Sequence, residues 1–226
     1  MIGQSAWSFV DQISSLSFEN AFNPYSDEDA DHDLPGAAAT RRDNLRKVID
    51  ASLESGVDSM WIARDLGYRG GRRTGLALTD EMHLQAHASM MGVDELSRST
   101  GGPAVSERTA RIVWDMLTAV NRKVFLWNVF PLHPHDAGAP MSNRNHKRSE
   151  RYATRFLMEW LVDTLRPRQL VAIGRDAQSA LAELGFHAAC VRHPSYGGQS
   201  EFIHGVSHLY SLPMQRSKSP QQIPLF

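Results

Sequence analysis

The chain has 226 residues, 42% of them hydrophobic, which suits one ordinary globular domain with a full-sized core. No apolar run approaches the roughly 18–20 residues that span a bilayer. Residues 1–10 lack a basic stretch leading into an apolar one, so neither a membrane protein nor a secretory leader is expected. Cys190 is the single cysteine, which excludes an intrachain disulfide and any cluster or zinc site built on several thiolates, and fits a reducing cytoplasm.

The formal charge of −1 is unevenly spread. Residues 1–40 hold seven acids (Asp11, Glu19, Asp27, Glu28, Asp29, Asp31 and Asp33) and no Lys or Arg; the other 18 acids face 24 bases, a balance of +6 on residues 41–226. A mildly basic body permits local phosphate contacts but not strong non-specific coating of nucleic acid. The alternating Asp27, Asp29, Asp31 and Asp33 suggest a calcium loop, but His32 stands where that loop needs Gly. Residues 1–40 therefore read as an acidic, mobile arm.

In chain order, residues 41–54 place Leu45, Val48, Ile49 and Leu53 on one side of a helix, and 58–62 is a short apolar, β-rich run. Ser106 can cap a helix over 107–121, with Ile112, Val113, Leu117 and Val120 on its apolar side. A second strand-like run covers 124–130. Residues 149–165 form a helix carrying Phe156, Leu157, Trp160 and Leu161, followed by a third run at 170–173. The helix 176–184 ends at Gly185, a suitable C-cap, and the fourth run is 188–191. Strands short enough to be buried on both faces, alternating with helices, predict an α/β fold: a three-layer α/β/α sandwich with a central four-stranded parallel sheet. The domain is expected over 41–211, with 212–226 as a flexible tail.

Ligands in such sheets bind at the carboxyl ends of the strands. Here those ends carry Arg64-Asp65-Leu66-Gly67-Tyr68, then Asn128 leading into Pro131-Leu132-His133-Pro134, then His193-Pro194-Ser195. In this order the segments resemble the motifs of the uracil-DNA glycosylase superfamily. Residues 63–79 (ARDLGYRGGRRTGLALT) follow its first motif, with Asp65 at the acidic position, Gly67 at the small one and Leu78 where a Phe stacks on the base. Asn128 falls on the family's strand asparagine and His193-Pro194-Ser195 on its His-Pro-Ser loop, while 167–181 resembles the third strand and the helix after it. The similarity spans roughly residues 45–205 and points to an atypical bacterial member without an iron–sulfur cluster.

The resemblance implies a monofunctional repair enzyme, with no metal or redox cofactor, that flips uracil out of DNA and hydrolyses its N-glycosidic bond, releasing free uracil. Asp65 and His193 would be catalytic: Asp65 orienting a water and stabilising the cationic sugar, neutral His193 donating to uracil O2. Asn128 would accept from N3–H and donate to O4, a pattern cytosine reverses at position 4. Arg64, Gly67, Tyr68, Leu78 and Phe130 are further base-site candidates; Tyr68, Trp127 and Phe130 are the aromatics that can replace the missing Phe. Ser195, Gly197 and Gly198 would hold phosphates, Tyr196 would fill the gap left by the flipped base, and Arg72 and Arg73 would reach the DNA backbone. Ala63 and Leu66 depart from the family's Gly and Pro, and Gly67 replaces the bulky residue by which one branch rejects thymine. Rival readings are a glycosylase for hypoxanthine or mismatched thymine, or a non-catalytic lesion-binding module.

Two other clusters read more plainly. Arg144, Lys147, Arg148, Arg151 and Arg155 suit an exposed helix face, and His133 with His135 lacks a third metal ligand. The C-terminal Gln222-Ile223-Pro224-Leu225-Phe226 resembles peptides that dock on the bacterial sliding clamp, with Gln222, Leu225 and Phe226 as anchors. A monomeric, cytoplasmic, nucleoid-associated protein is expected.

Overall fold

The computed structural model describes residues 5–213. In chain order the elements are α1 (Ala6–Ser14), β1 (Ala21–Phe22), α2 (Ala37–Ser55), β2 (Ser59–Asp65), α3 (Gly71–Thr74), α4 (Leu84–Met91), α5 (Arg108–Val120), β3 (Val124–Phe130), β4 (His133–Pro134), α6 (Arg148–Ala153), α7 (Arg155–Leu165), β5 (Gln169–Ile173), α8 (Arg175–Glu183), β6 (Ala189–Val191) and α9 (Gln199–Leu209). The central sheet has the order β3-β2-β5-β6, and every pair in it is parallel. This is the expected four-stranded α/β sandwich. No helix among the described residues is long and apolar enough to cross a membrane.

The sheet forms because its strands are apolar on both faces, as alternation along a covered parallel strand requires. Met60 and Ile62 of β2, with Phe125 and Trp127 of β3, enter a core built with α1, α2, α7 and α8. Trp61, with Val124 and Leu126, enters a second core against α5 and α9, where Val113, Leu117, Phe202 and Val206 are buried. The parallel register sets Ala63 beside Asn128 and Asp65 beside Phe130, so the chemistry-bearing ends of β2 and β3 share one edge of the sheet.

Several details differ from the sequence reading. The helix expected over 149–165 breaks at Thr154, which leaves helical geometry (φ −100°, ψ 1°) and turns its hydroxyl back onto the Glu150 carbonyl at 3.2 Å. The helices α1, α4 and α9 lie in stretches for which no element was predicted. Phe9, Val10 and Ile13 of α1 are fully buried, so the acidic N-terminal region is no separate arm. Its loop wraps two buried arginines: Arg41 meets Asp33 at 2.5 Å and Arg72 meets Asp29 at 2.7 Å. Burial opposes the charge on Asp29, but hydrogen bonds from Arg72, the Asp31 amide and His32 outweigh it and hold the carboxyl at about 2. The clamp-like residues Gln222, Leu225 and Phe226 lie outside the described residues.

Candidate active site

Asp65 ends β2 with its side chain 7% exposed, and both carboxylate oxygens are held. Oδ2 accepts from Arg64 Nε at 2.6 Å and Oδ1 from His146 Nδ1 at 2.5 Å. Arg64 reaches on to Asp176, near the start of α8, at 2.8 Å. One guanidinium therefore ties the end of β2 to the helix that follows β5.

Asn128 sits within β3, 1% exposed among Trp127, Val129 and Leu126. Its Oδ1 is buried and has no hydrogen-bond partner in the structure. An unsatisfied buried amide oxygen costs roughly 1–3 kcal/mol, so such a group calls for a ligand or a function.

His193 follows β6. Its Nδ1 accepts from the Ser195 hydroxyl at 2.7 Å and the Ser195 amide at 3.2 Å, which leaves the ring proton on Nε2. Burial first, then the positive charges of Arg64 and Arg192, push the imidazole below its usual range, so it stays neutral near pH 7. Two glycines permit this loop. A Cβ at Gly198 would stand 2.2 Å from the His193 carbonyl oxygen, and one at Gly174, where φ is +94°, would stand 3.2 Å from the His193 Cβ.

The remaining candidates divide. At Gly67 a Cβ would approach Glu107 Oε1 at 3.6 Å, so the space beside this glycine already faces a carboxyl. Burial and the nearby Asp80 raise that carboxyl's pKa. Tyr68 is half-buried and donates its amide to Asn143 Oδ1 at 3.1 Å; with Arg69 and Met141 it borders a cavity of about 680 Å³ lined also by Asp31, Asp33 and Pro103, and by none of Asp65, Asn128 and His193. Leu78 is half-buried in the left-handed region (φ +55°), with its carbonyl on Trp114 Nε1 at 3.1 Å. A non-glycine there stores on the order of 1–3 kcal/mol of strain, a feature common at functional loops. Tyr196 is 99% exposed, also at positive φ (+49°), and Gly197 beside it is exposed.

Four expected contacts do not survive packing. Phe130 is fully buried, edge-on to Phe18, and Trp127 is 2% exposed against Phe9, so neither ring presents a face to a base. Arg72 is 5% exposed and stacks over Phe22, while Arg73 is spent on Glu81 and Thr100. Neither arginine is available to phosphate. His133 is likewise engaged at both nitrogens, by Arg72 and the Ser142 carbonyl, and burial lowers its pKa to about 4. In the basic run, Arg144 pairs with Glu150, Arg151 with Glu183 and Arg155 with Glu159. No group of three His, Cys, Asp or Glu among the described residues is arranged to hold a metal ion.

Sequence reasoning missed His146 and Glu107. His146 hides in the basic run, 81 residues from Asp65, and Glu107 was taken only as the start of a helix. Nothing local marks either one.

The model of the uracil DNA glycosylase superfamily matches residues 68–212, which contain Asn128, His193 and Leu78 and begin three residues after Asp65. The chain belongs to that superfamily. The fold agrees: the crystal structure of wild-type Pedobacter heparinus SMUG2 superposes with a TM-score of 0.56 at 13% identity, over 91% of this chain and 95% of that one. No curated protein sequence matches the chain. Membership of the superfamily supports a DNA glycosylase, a hydrolase of base excision repair that binds DNA.

Proposed function

We propose that this superfamily member is a monofunctional uracil-DNA glycosylase. The observation that carries the reading is the buried, unpartnered Oδ1 of Asn128, an acceptor awaiting a donor. Uracil N3–H supplies one, and the Asn128 amide can donate to O4 in return. Cytosine has no proton on N3 and carries an amine at position 4, so it would leave the Asn128 acceptor mismatched, a discrimination worth more than shape alone.

Hydrolysis then follows from where charge appears. As the bond from C1′ to N1 breaks, the sugar becomes cationic and the base anionic. The Asp65 carboxylate, accepting from Arg64 and His146, keeps lone pairs for a water and stabilises the sugar cation. His193 donates from Nε2 to O2 of the departing uracil as a neutral ring. The water oxygen bonds C1′, its proton passes to solvent, and the uracil anion is protonated at N1 after departure. Exposed Tyr196 enters the stack vacated by the flipped nucleotide, with the exposed Gly197 backbone beside a flanking phosphate, while both donors of Ser195 stay on His193 Nδ1.

Mismatched thymine is the rival that a specific feature favours: Gly67 has no side chain to block a 5-methyl group, although Glu107 faces the same space. Duplexes containing uracil, hypoxanthine or thymine opposite guanine separate these readings. Expected is release of uracil, with strand breaks appearing only after alkali. Preferential release of thymine or hypoxanthine would replace the reading, and tight lesion binding without base release would make the protein a binding module. The terminal QIPLF is proposed as a clamp-docking peptide. Deleting residues 222–226 should abolish capture on the sliding clamp while oligonucleotide cleavage persists; capture that survives the deletion would remove the proposal.

A further inference from the structure

We infer that His146 is a positioning residue that fixes the orientation of the Asp65 carboxylate. The inference rests on the reading of Asp65 as the residue that acts on the glycosidic bond.

Both sides of the imidazole require the same tautomer. Asp65 Oδ1 accepts from Nδ1 at 2.5 Å, and a carboxylate offers no proton in return. Nε2 faces Arg151 Nη1 at 3.5 Å, and a guanidinium has only donors, so that nitrogen must carry the lone pair. Arg151 is itself anchored by Glu183 of α8. The proton therefore resides on Nδ1, and a chain of charges and dipoles runs Glu183–Arg151–His146–Asp65.

His146 cannot itself reach a substrate. Its side chain is 2% exposed, its ring lies 5.9 Å from that of Phe130, and both nitrogens are turned to protein groups. Its influence must pass through Asp65. The second partner of Asp65 is a weaker anchor: Arg64 is 34% exposed and its other contact, Asp176, is 72% exposed. An exposed pair such as Arg64–Asp176 contributes little to holding Arg64 in place. His146 thus holds Oδ1 from the interior, independent of what Arg64 does when DNA arrives. Displacement of a reacting group by about 1 Å can cost on the order of 100-fold in rate, which is what such an anchor prevents.

The experiment measures single-turnover uracil excision for wild type, His146→Leu and His146→Asn, and for His146→Leu combined with Asp65→Asn. The expected loss for His146→Leu is roughly 10- to 100-fold. His146→Asn, whose amide N–H falls near the place of Nδ1, should recover most of it. On the Asp65→Asn background His146→Leu should cost nothing further, because the carboxylate it orients is gone. Equal losses on both backgrounds, or no rescue by Asn, would overturn the inference. Nitrogen-edited NMR of the His146 ring supplies a readout that needs no turnover. A proton on Nδ1 whose signal moves in Asp65→Asn is expected, and a proton on Nε2 would overturn the inference. Failure of the wild type to release uracil would instead strike the reading of the substrate, leaving the NMR result to decide the positioning.

Discussion

The amide of Ser195 and Nδ1 of His193 meet at 3.2 Å, and the Ser195 hydroxyl closes on the same nitrogen at 2.7 Å. A second proton on the ring would have to land on Nδ1 and expel both donors, so the loop is built around the neutral imidazole. Burial acts in the same direction, and the charges of Arg64 and Arg192 add to it. An NMR titration of His193 should therefore give a midpoint below the ordinary value of about 6.5. Removing a positive neighbour makes protonation easier, so Arg64→Gln should raise the midpoint. A midpoint that stays put or falls would show that Arg64 does not act on this ring.

Arg72 was a candidate for phosphate, and its burial assigns it another task. It neutralises Asp29 at 2.7 Å and lies 3.6 Å above the Phe22 ring, fastening the acidic N-terminal loop to the active-site loop. Removing one member of a buried pair leaves an uncompensated charge at a cost of about 3–5 kcal/mol. Arg72→Ala should lower stability by that order in urea unfolding, while the salt dependence of DNA affinity stays unchanged. A normal unfolding midpoint with a weaker salt dependence would return Arg72 to the DNA interface.

Tyr196 exposes nearly its whole side chain from a strained backbone position, which is costly unless the ring serves a partner. A wedge matters only where a base must leave a duplex stack. Tyr196→Ala should slow uracil excision from duplex DNA substantially and from single strands little. Equal slowing on both substrates would rule out a wedge.

His87 is fully buried, with Nδ1 on the Thr79 hydroxyl at 3.0 Å and Nε2 unpartnered, and burial lowers its pKa to about 3. Its folded pKa lies below the unfolded value near 6.5, so the unfolded chain binds more protons at acid pH. The stability it confers is complete above about pH 6.5 and declines as pH falls toward 3, by up to about 1.4 kcal/mol per pH unit. His87→Phe should flatten that decline in denaturant melts recorded from pH 7 to 4. An unaltered slope would mean that His87 takes up its proton equally in the folded and the unfolded chain.

These residues also mark how far the sequence could be read. Val124–Phe130 was legible to the residue because an apolar run broken only by Asn128, and bounded by Lys123 and Pro131, has few alternatives to a buried strand. Asn128 was legible for the same reason, since an amide inside that run needs an explanation. Leu78 signalled a departure from the family, but its positive φ could not be seen. Arg72 and Arg73 stand beside the first motif and read as basic, because their acidic partners Asp29 and Glu81 declare themselves only after folding. The α1 helix was missed because the acids around it suggested disorder, although Phe9, Val10 and Ile13 carry a helical stripe. His146 and Asp65 are 81 residues apart, and only the packed chain brings them together.

The central claim is that Asn128, Asp65 and His193 act on one flipped uracil. The direct measurement is single-turnover excision from an end-labelled uracil duplex, developed with alkali in the presence of EDTA, for wild type, Asn128→Ala, Asp65→Asn and His193→Ala. Wild type should yield alkali-dependent breaks, and each variant should lose roughly 100- to 1,000-fold in rate, the usual effect of deleting one preorganised transition-state contact. Wild-type rates in Asn128→Ala, or an intact uracil strand with the wild-type protein, would contradict the account.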